Sequence, residues 1–198
     1  MIRRLGFTCR SGRALLADAG GLAAIELALI LPFAAMLMSL VVYGGQAYSV
    51  QRRVTLAATT VANIFAQANN TNSSTITAAE LSQILAYPNL ILYPYSSTGV
   101  AVEVSQLLVT VNGNGTATGT VKGSWANANG TVRPTGQQLS IDPSIAAAFS
   151  GTGNNYVVLG EVQYPFQPTG LYFSVSAMTL HDSIIMIPRV ASPITVLN

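Results

Sequence analysis

From residue 27 to residue 51 the chain carries no charged side chain. At about 1.5 Å per residue, a helix of that length reaches roughly 37 Å, enough to cross a hydrocarbon core of about 30 Å. The pattern then changes. Val54, Ala57, Ala58, Val61, Ile64, Phe65 and Ala68 recur at spacings of three and four, and Thr55, Thr59, Asn63 and Gln67 take the other face. That spacing predicts an amphipathic continuation of the same helix. One helix of about 45 residues, roughly 70 Å long, would then be half suited to lipid and half suited to packing under a soluble domain. The polar stretch NNTNSST, residues 69–75, follows as a linker.

Beyond the linker the pattern predicts short elements. Thr77 and Glu80 have the spacing of a capping box, with Ile76 and Leu81 as its hydrophobic staple. Leu81, Ile84 and Leu85 give that helix an apolar face, and it is expected to end before Pro88. Residues 100–111 read as a strand in which Val100, Val102 and Val104 share one face. Leu107, Val109 and Val111 have the opposite parity, so the phase slips at Ser105-Gln106 and predicts a bulge or a break there. NGNG, residues 112–115, is a hairpin signal. In the next strand Ala117, Gly119, Val121, Gly123 and Trp125 alternate with polar residues, and small residues opposite the strand partners of Trp125 are expected to leave room for the long helix on this face. Asp142-Pro143 starts a short helix ending near Gly151. Residues 155–164 and 179–188 complete an antiparallel sheet of about four strands. The expected fold class is α+β, with the sheet packed on the C-terminal half of the long helix.

Composition supports a membrane-associated chain. Only 8% of the 198 residues are charged, about a third of the globular average, and 50% are hydrophobic, which argues against intrinsic disorder. Arg3, Arg4, Arg10 and Arg13 precede the apolar run with only Asp18 against them, the flank expected of a cytoplasmic N-terminus. Arg52 and Arg53 follow the run and weaken that asymmetry without reversing it. Residues 54–198 carry a net charge of −2 and no basic patch, so a nucleic-acid partner is not expected. The apolar run is longer than the 7–15 residues of an ordinary cleaved secretory signal, and no small-x-small site follows it. An uncleaved signal anchor remains open.

Candidate chemistry in the exported part is sparse. Cys9 is the one cysteine and His181 the one histidine, which argues against a disulfide framework and a zinc site. His181-Asp182-Ser183 has the composition of a catalytic triad, but consecutive strand residues point to alternating faces. It reads as a turn or strand-edge segment. GNG and GTG lack the Lys-Ser/Thr of a phosphate loop. No catalytic residue, metal or cofactor is expected. Tyr93, Tyr95, Tyr156, Tyr164 and Tyr172, with Phe166 and Phe173, fall near strand ends or loops, suited to core packing or to a subunit contact.

One segment carries a family signature. GGLAAIELALILPF, residues 20–33, places a basic leader, a glycine and then a glutamate at the front of an apolar run. It resembles the class III signal of type IV pilins, and most of all the TadE-like pseudopilins of Flp/Tad pilus systems. Gly21, Ala23, Ala24, Glu26, Leu31 and Pro32 carry the match, which covers roughly residues 20–67. The tail IIMIPRV, residues 184–190, adds a degraded match, with Ile187 where a basic residue is common. The resemblance implies a cytoplasmic leader (1–21), a long helix (22–68), a linker (69–75) and an exported domain (76–198). It implies a prepilin peptidase cutting after Gly21, or one residue earlier after Gly20. The partners it implies are other pilin and pseudopilin subunits, an inner-membrane assembly platform and the lipid bilayer. Leu22 would become the new N-terminus, and its α-amine would pair with Glu26 of a neighbouring subunit, offsetting the cost of a carboxylate in lipid. Pro32 removes one helical hydrogen bond and is expected to bend the helix, easing its passage from bilayer to filament. The implied place is the bacterial inner membrane, with the C-terminal domain periplasmic, and an extracellular pilus after assembly.

Overall fold

The computed structural model describes residues 19–67, 75–112, 116–147, 155–168, 176–189 and 193–197. The arginine leader, most of the predicted linker, the tip of the NGNG turn and the end of the helix near Gly151 lie outside them. The first element, α1, is a helix over Ala19–Ala66 with Pro32 inside it. The chain forms two compact units divided at Gly45.

The first unit holds α1 up to Gly45. Its large apolar side chains are exposed over most of the helix circumference, with Ile25, Leu27, Phe33 and Val41 each more than 60% exposed. A helix apolar on all sides needs an apolar surround. By length and composition α1 is able to cross a membrane, and it is the one such helix among the described residues. Ser39, inside the run, donates its hydroxyl to the Ala35 carbonyl at 2.8 Å, so this hydroxyl finds its partner within the helix.

The second unit is α+β. Its elements are β1 (Thr75–Thr77), α2 (Ala78–Ile91), β2 (Ala101–Val111), β3 (Ala117–Ala126), β4 (Gln138–Ile141), α3 (Pro143–Ala147), β5 (Tyr156–Phe166), β6 (Met178–Met186) and β7 (Thr195–Leu197). The main sheet is antiparallel and has five strands, not four, in the order β4-β3-β2-β5-β6. The added strand is β4, whose four residues are too few to show a period. β1 and β7 form a separate parallel pair, with Ile76 opposite Val196.

The amphipathic half of α1 packs as its spacing predicts on its apolar face. Thr55 and Thr59, expected on the outer face, are instead half-buried, and Thr55 meets Asp182 of the sheet. Ala68 lies outside the described residues. Val54, Ala57, Ala58, Val61 and Phe65 are buried, Ile64 is half-buried and Asn63 and Gln67 are exposed. They join Val102, Val104, Val158 and Val162 in one core on the helix side of the sheet. A second core, of Leu107, Val109, Val121, Ile141, Val157 and Leu159, includes the outer face.

The phase slip in the sequence turns out to have a different seat. β2 pairs with β5 without interruption from Ala101 to Leu108, so its backbone does not break. Instead, its apolar side chains serve the helix-side core first and the second core afterwards. The bulge lies in β3: Gln106 pairs with Gly123 and Leu107 with Val121, leaving Lys122 as the extra residue. That one residue corrects the expected single face of β3. Ala117 and Val121 enter the second core, whereas Trp125 lands on the helix side, its ring 5.4 Å from that of Phe65. Gly123 does not make room for the helix, because a Cβ there would meet the Trp125 ring at 2.6 Å. The close approach of α1 is instead at Gly160 of β5. A Cβ there would come within 2.8 Å of the Ala62 Cβ and 3.1 Å of the Ala58 carbonyl oxygen.

Local signals set the flanking elements. At the start of α2, Glu80 N–H donates to the Thr77 hydroxyl and Thr77 N–H donates back to the Glu80 carboxylate, closing the capping box. The Thr77 hydrogen bonds hold the Glu80 carboxyl below its ordinary range. α2 does not stop before Pro88 but continues through it to Ile91. Pro88 lies buried on the same face as Leu81, Ile84 and Leu85, and packing offsets the missing N–H. Asp142 accepts the Ser144 N–H at 2.8 Å and opens α3. The tail also has a structural role: Arg189 N–H donates to the Ala66 carbonyl at 3.1 Å and ties down the end of α1.

Gly160→Ala is expected to destabilise the domain by about 1–3 kcal/mol, because the new methyl meets helix backbone that cannot rotate away. Gly119→Ala meets the end of the Ile141 side chain and should cost less. Urea denaturation of the two variants, compared by midpoint, checks the order.

Candidate functional site

The residues singled out by the leader signature lie at the start of α1. Gly21 and Leu22 are in its first turn, and Glu26 follows one turn later with its side chain exposed. Between Glu26 and Arg52 no other ionisable acid or base of the Asp, Glu, Lys or Arg type occurs. Pro32 lies six residues further along, within the continuous helix. Arg3, Arg4, Arg10 and Arg13 lie outside the described residues. The bond after Gly21 is therefore in helical backbone. Glycine is a poor helix former, which lowers the cost of unwinding the backbone at this bond.

The sheet carries a polar cluster that the sequence reading missed. Glu103 of β2 lies directly across from Glu161 of β5 in the register. Two carboxylates opposed in this way repel each other. Arg133, from the connection between β3 and β4, settles between them. Its Nε is 3.0 Å from Glu103 Oε1, and its Nη2 donates to Glu161 Oε2 at 2.5 Å. Burial lowers the Arg133 pKa as the largest single effect, but hydrogen bonds and charge from Glu161 and Glu103 together outweigh it, and the net direction is up. The Ser105 and Ser124 hydroxyls also donate to Glu103, at 3.0 and 3.1 Å. Ser124 in turn accepts the Arg133 backbone N–H at 3.1 Å.

The start of the connection is held in place by the Asn127 amide. Asn127 Oδ1 accepts from Val102 N–H and Gly130 N–H, and its Nδ2 donates to the Val100 carbonyl. No periodicity announces this arrangement, since it depends on register across three strands.

His181, Asp182 and Ser183 lie in β6, an edge strand of the sheet, and alternate in direction. His181 Nε2 is 3.6 Å from Glu161 Oε1 on the outer face. Asp182 points the other way and accepts the hydroxyl of Thr55 in α1. The three therefore do not converge. Among the described residues, no three His, Cys, Asp or Glu side chains are grouped to hold a metal ion. Chemically, the cluster is one guanidinium bridging an opposed carboxylate pair. Both glutamates are occupied as acceptors.

The aromatic residues divide. Tyr164 and Phe166 are buried in the helix-side core, whereas Tyr93 is 76% exposed. Tyr172 and Phe173 lie outside the described residues. Comparisons with protein-family models, with curated proteins and with solved structures find nothing that matches this chain.

Arg133→Met is expected to cost about 1–3 kcal/mol, since it leaves Glu103 and Glu161 opposed at low exposure without their cation. Adding Glu103→Gln and Glu161→Gln to that variant should recover much of the loss. Equilibrium urea unfolding measures both. A loss for Arg133→Met that the glutamine changes leave untouched would contradict the account.

Proposed function

We propose that this chain is a minor pilin or pseudopilin of a Tad/Flp-type pilus, serving pilus assembly or surface adhesion and not catalysis. It is made as a prepilin with a basic cytoplasmic leader, cut after Gly21 by a prepilin peptidase, and held in the bacterial inner membrane by α1. Its α+β domain faces the periplasm until the subunit enters a filament.

The observation that carries the reading is Glu26 on α1. It is exposed, and the apolar side chains that follow it are exposed around most of the helix. A helix of that kind needs other apolar helices or lipid around it, and a lone carboxylate among them needs a cation. Cleavage creates one. The α-amine of Leu22, with an ordinary pKa of about 7.7–8, is charged over much of the neutral range. Pairing it with Glu26 of an assembled subunit fixes the axial register of helices that otherwise slide freely. The amphipathic half of α1 beneath an antiparallel sheet gives each such subunit a folded head. Arg52 and Arg53 would then lie at the periplasmic end of the span.

A second reading is an uncleaved, single-pass anchor for a periplasmic binding or assembly domain. The helical backbone at Gly21 favours it, since a peptidase must first unwind that turn.

The test is Glu26→Ala in the native strain background. Processing and membrane insertion are expected to continue, while the variant disappears from sheared filaments. Its appearance there at the wild-type ratio to the other subunits would contradict the pairing role.

A further inference from the structure

The second unit has an exposed surface that neither core nor polar cluster uses. It surrounds the point where the uncharged run ends. Arg53, the second residue beyond that run, donates to the carbonyls of Ile91 and Tyr93, and its guanidinium lies 5.5 Å from the Tyr95 ring centroid. These bonds supply partners for carbonyls at the C-terminal end of α2. They also fix that end at the level of residue 53 on α1.

The consequence is an unusual display. Leu90 and Tyr93, beside those carbonyls, are 73% and 76% exposed. Tyr48 and Leu56 on α1 are exposed as well. Tyr48 and Leu56 line an open groove of about 680 Å³ together with Ser49, Arg52, Thr59 and Ile91, the last next to Leu90 in the chain. Among the described residues no acidic side chain lines it and no carboxylate lies within 4 Å of the Arg52 guanidinium.

We infer that this surface docks on the headgroup layer of the bilayer that α1 enters. The inference rests on reading α1 as membrane-spanning. Three features select a lipid surface. Tyrosine, leucine and arginine together are the composition of an interfacial belt, with aromatic rings and aliphatic ends in the acyl boundary and the cation at the phosphates. The charge is complementary, because phosphates supply the anion that Arg52 lacks. A protein partner covering Arg52 would need a matching acid to avoid an unpaired buried charge, whereas the headgroup layer keeps it hydrated. The level also fits: the α2 terminus is bonded two residues beyond the end of the uncharged run. Docking there gives the domain a second hold on the membrane and restricts its rotation about α1.

The experiment uses the full chain with Cys9→Ser, reconstituted in phospholipid nanodiscs, with a nitroxide on one introduced cysteine at a time. Leu37→Cys reports the apolar run, Leu90→Cys the proposed docking surface and Val132→Cys an exposed site near Arg133. The readout is the ratio of collision with dissolved oxygen to collision with a water-soluble nickel chelate. The ratio at position 90 is expected to fall between the other two, severalfold above position 132. A value at position 90 equal to that at 132, with position 37 in lipid, overturns the docking and leaves the membrane helix standing. An aqueous value at position 37 overturns both. Low access to both reagents at position 90, with dipolar broadening between copies, overturns the lipid assignment and gives the surface to a second copy of this chain.

Discussion

How closely α1 can approach the sheet decides the rest of the folded domain. The approach is set at Gly160, where the absence of a side chain lets Ala58 and Ala62 come down onto β5. From that contact the Phe65 ring reaches Trp125, Thr55 reaches Asp182, and Arg189 reaches the last carbonyl of the helix. Small residues on both partners are what such a contact demands. Larger ones would lift the helix and open the helix-side core along its length.

Charge is handled by a similar economy of place. Only 8% of the residues are charged, and among the described residues several of these ions have a definite partner. Arg133 separates two opposed glutamates, Arg53 completes the end of a helix, and Glu80 closes a capping box. Glu26 and Arg52 are different. Both are exposed, and each stands at an edge of the uncharged run. Those are the positions where a new N-terminus and a phosphate layer would supply the missing counter-charges.

Much of this was legible from local pattern. The 3.6-residue period of Val54, Ala58, Val61 and Phe65 names the buried face of α1, and Thr77 with Glu80 names the start of α2. Where several residues in sequence carry the signal, the signal survives. What was not legible depends on register or on distant partners. The bulge at Lys122 reassigns Trp125 to the other face, and no period in β3 alone reveals it. The Glu103–Arg133–Glu161 cluster needs β2 and β5 aligned and a loop folded back over them. Pro88 carries the signal of a stop because proline usually is one, but its ring is buried and the helix continues through it. Of the candidate site, Glu26 stands exposed on a helix of the expected kind, and the assembly role remains the proposal built on it.

That proposal turns on one covalent fact, whether the chain is cut before Glu26 has its partner. The direct measurement is the intact mass and N-terminal sequence of the protein purified from native membranes in which the peptidase is active. The account predicts a chain beginning at Leu22. A chain still beginning at Met1 or Ile2 would contradict it and leave an uncleaved membrane anchor in its place.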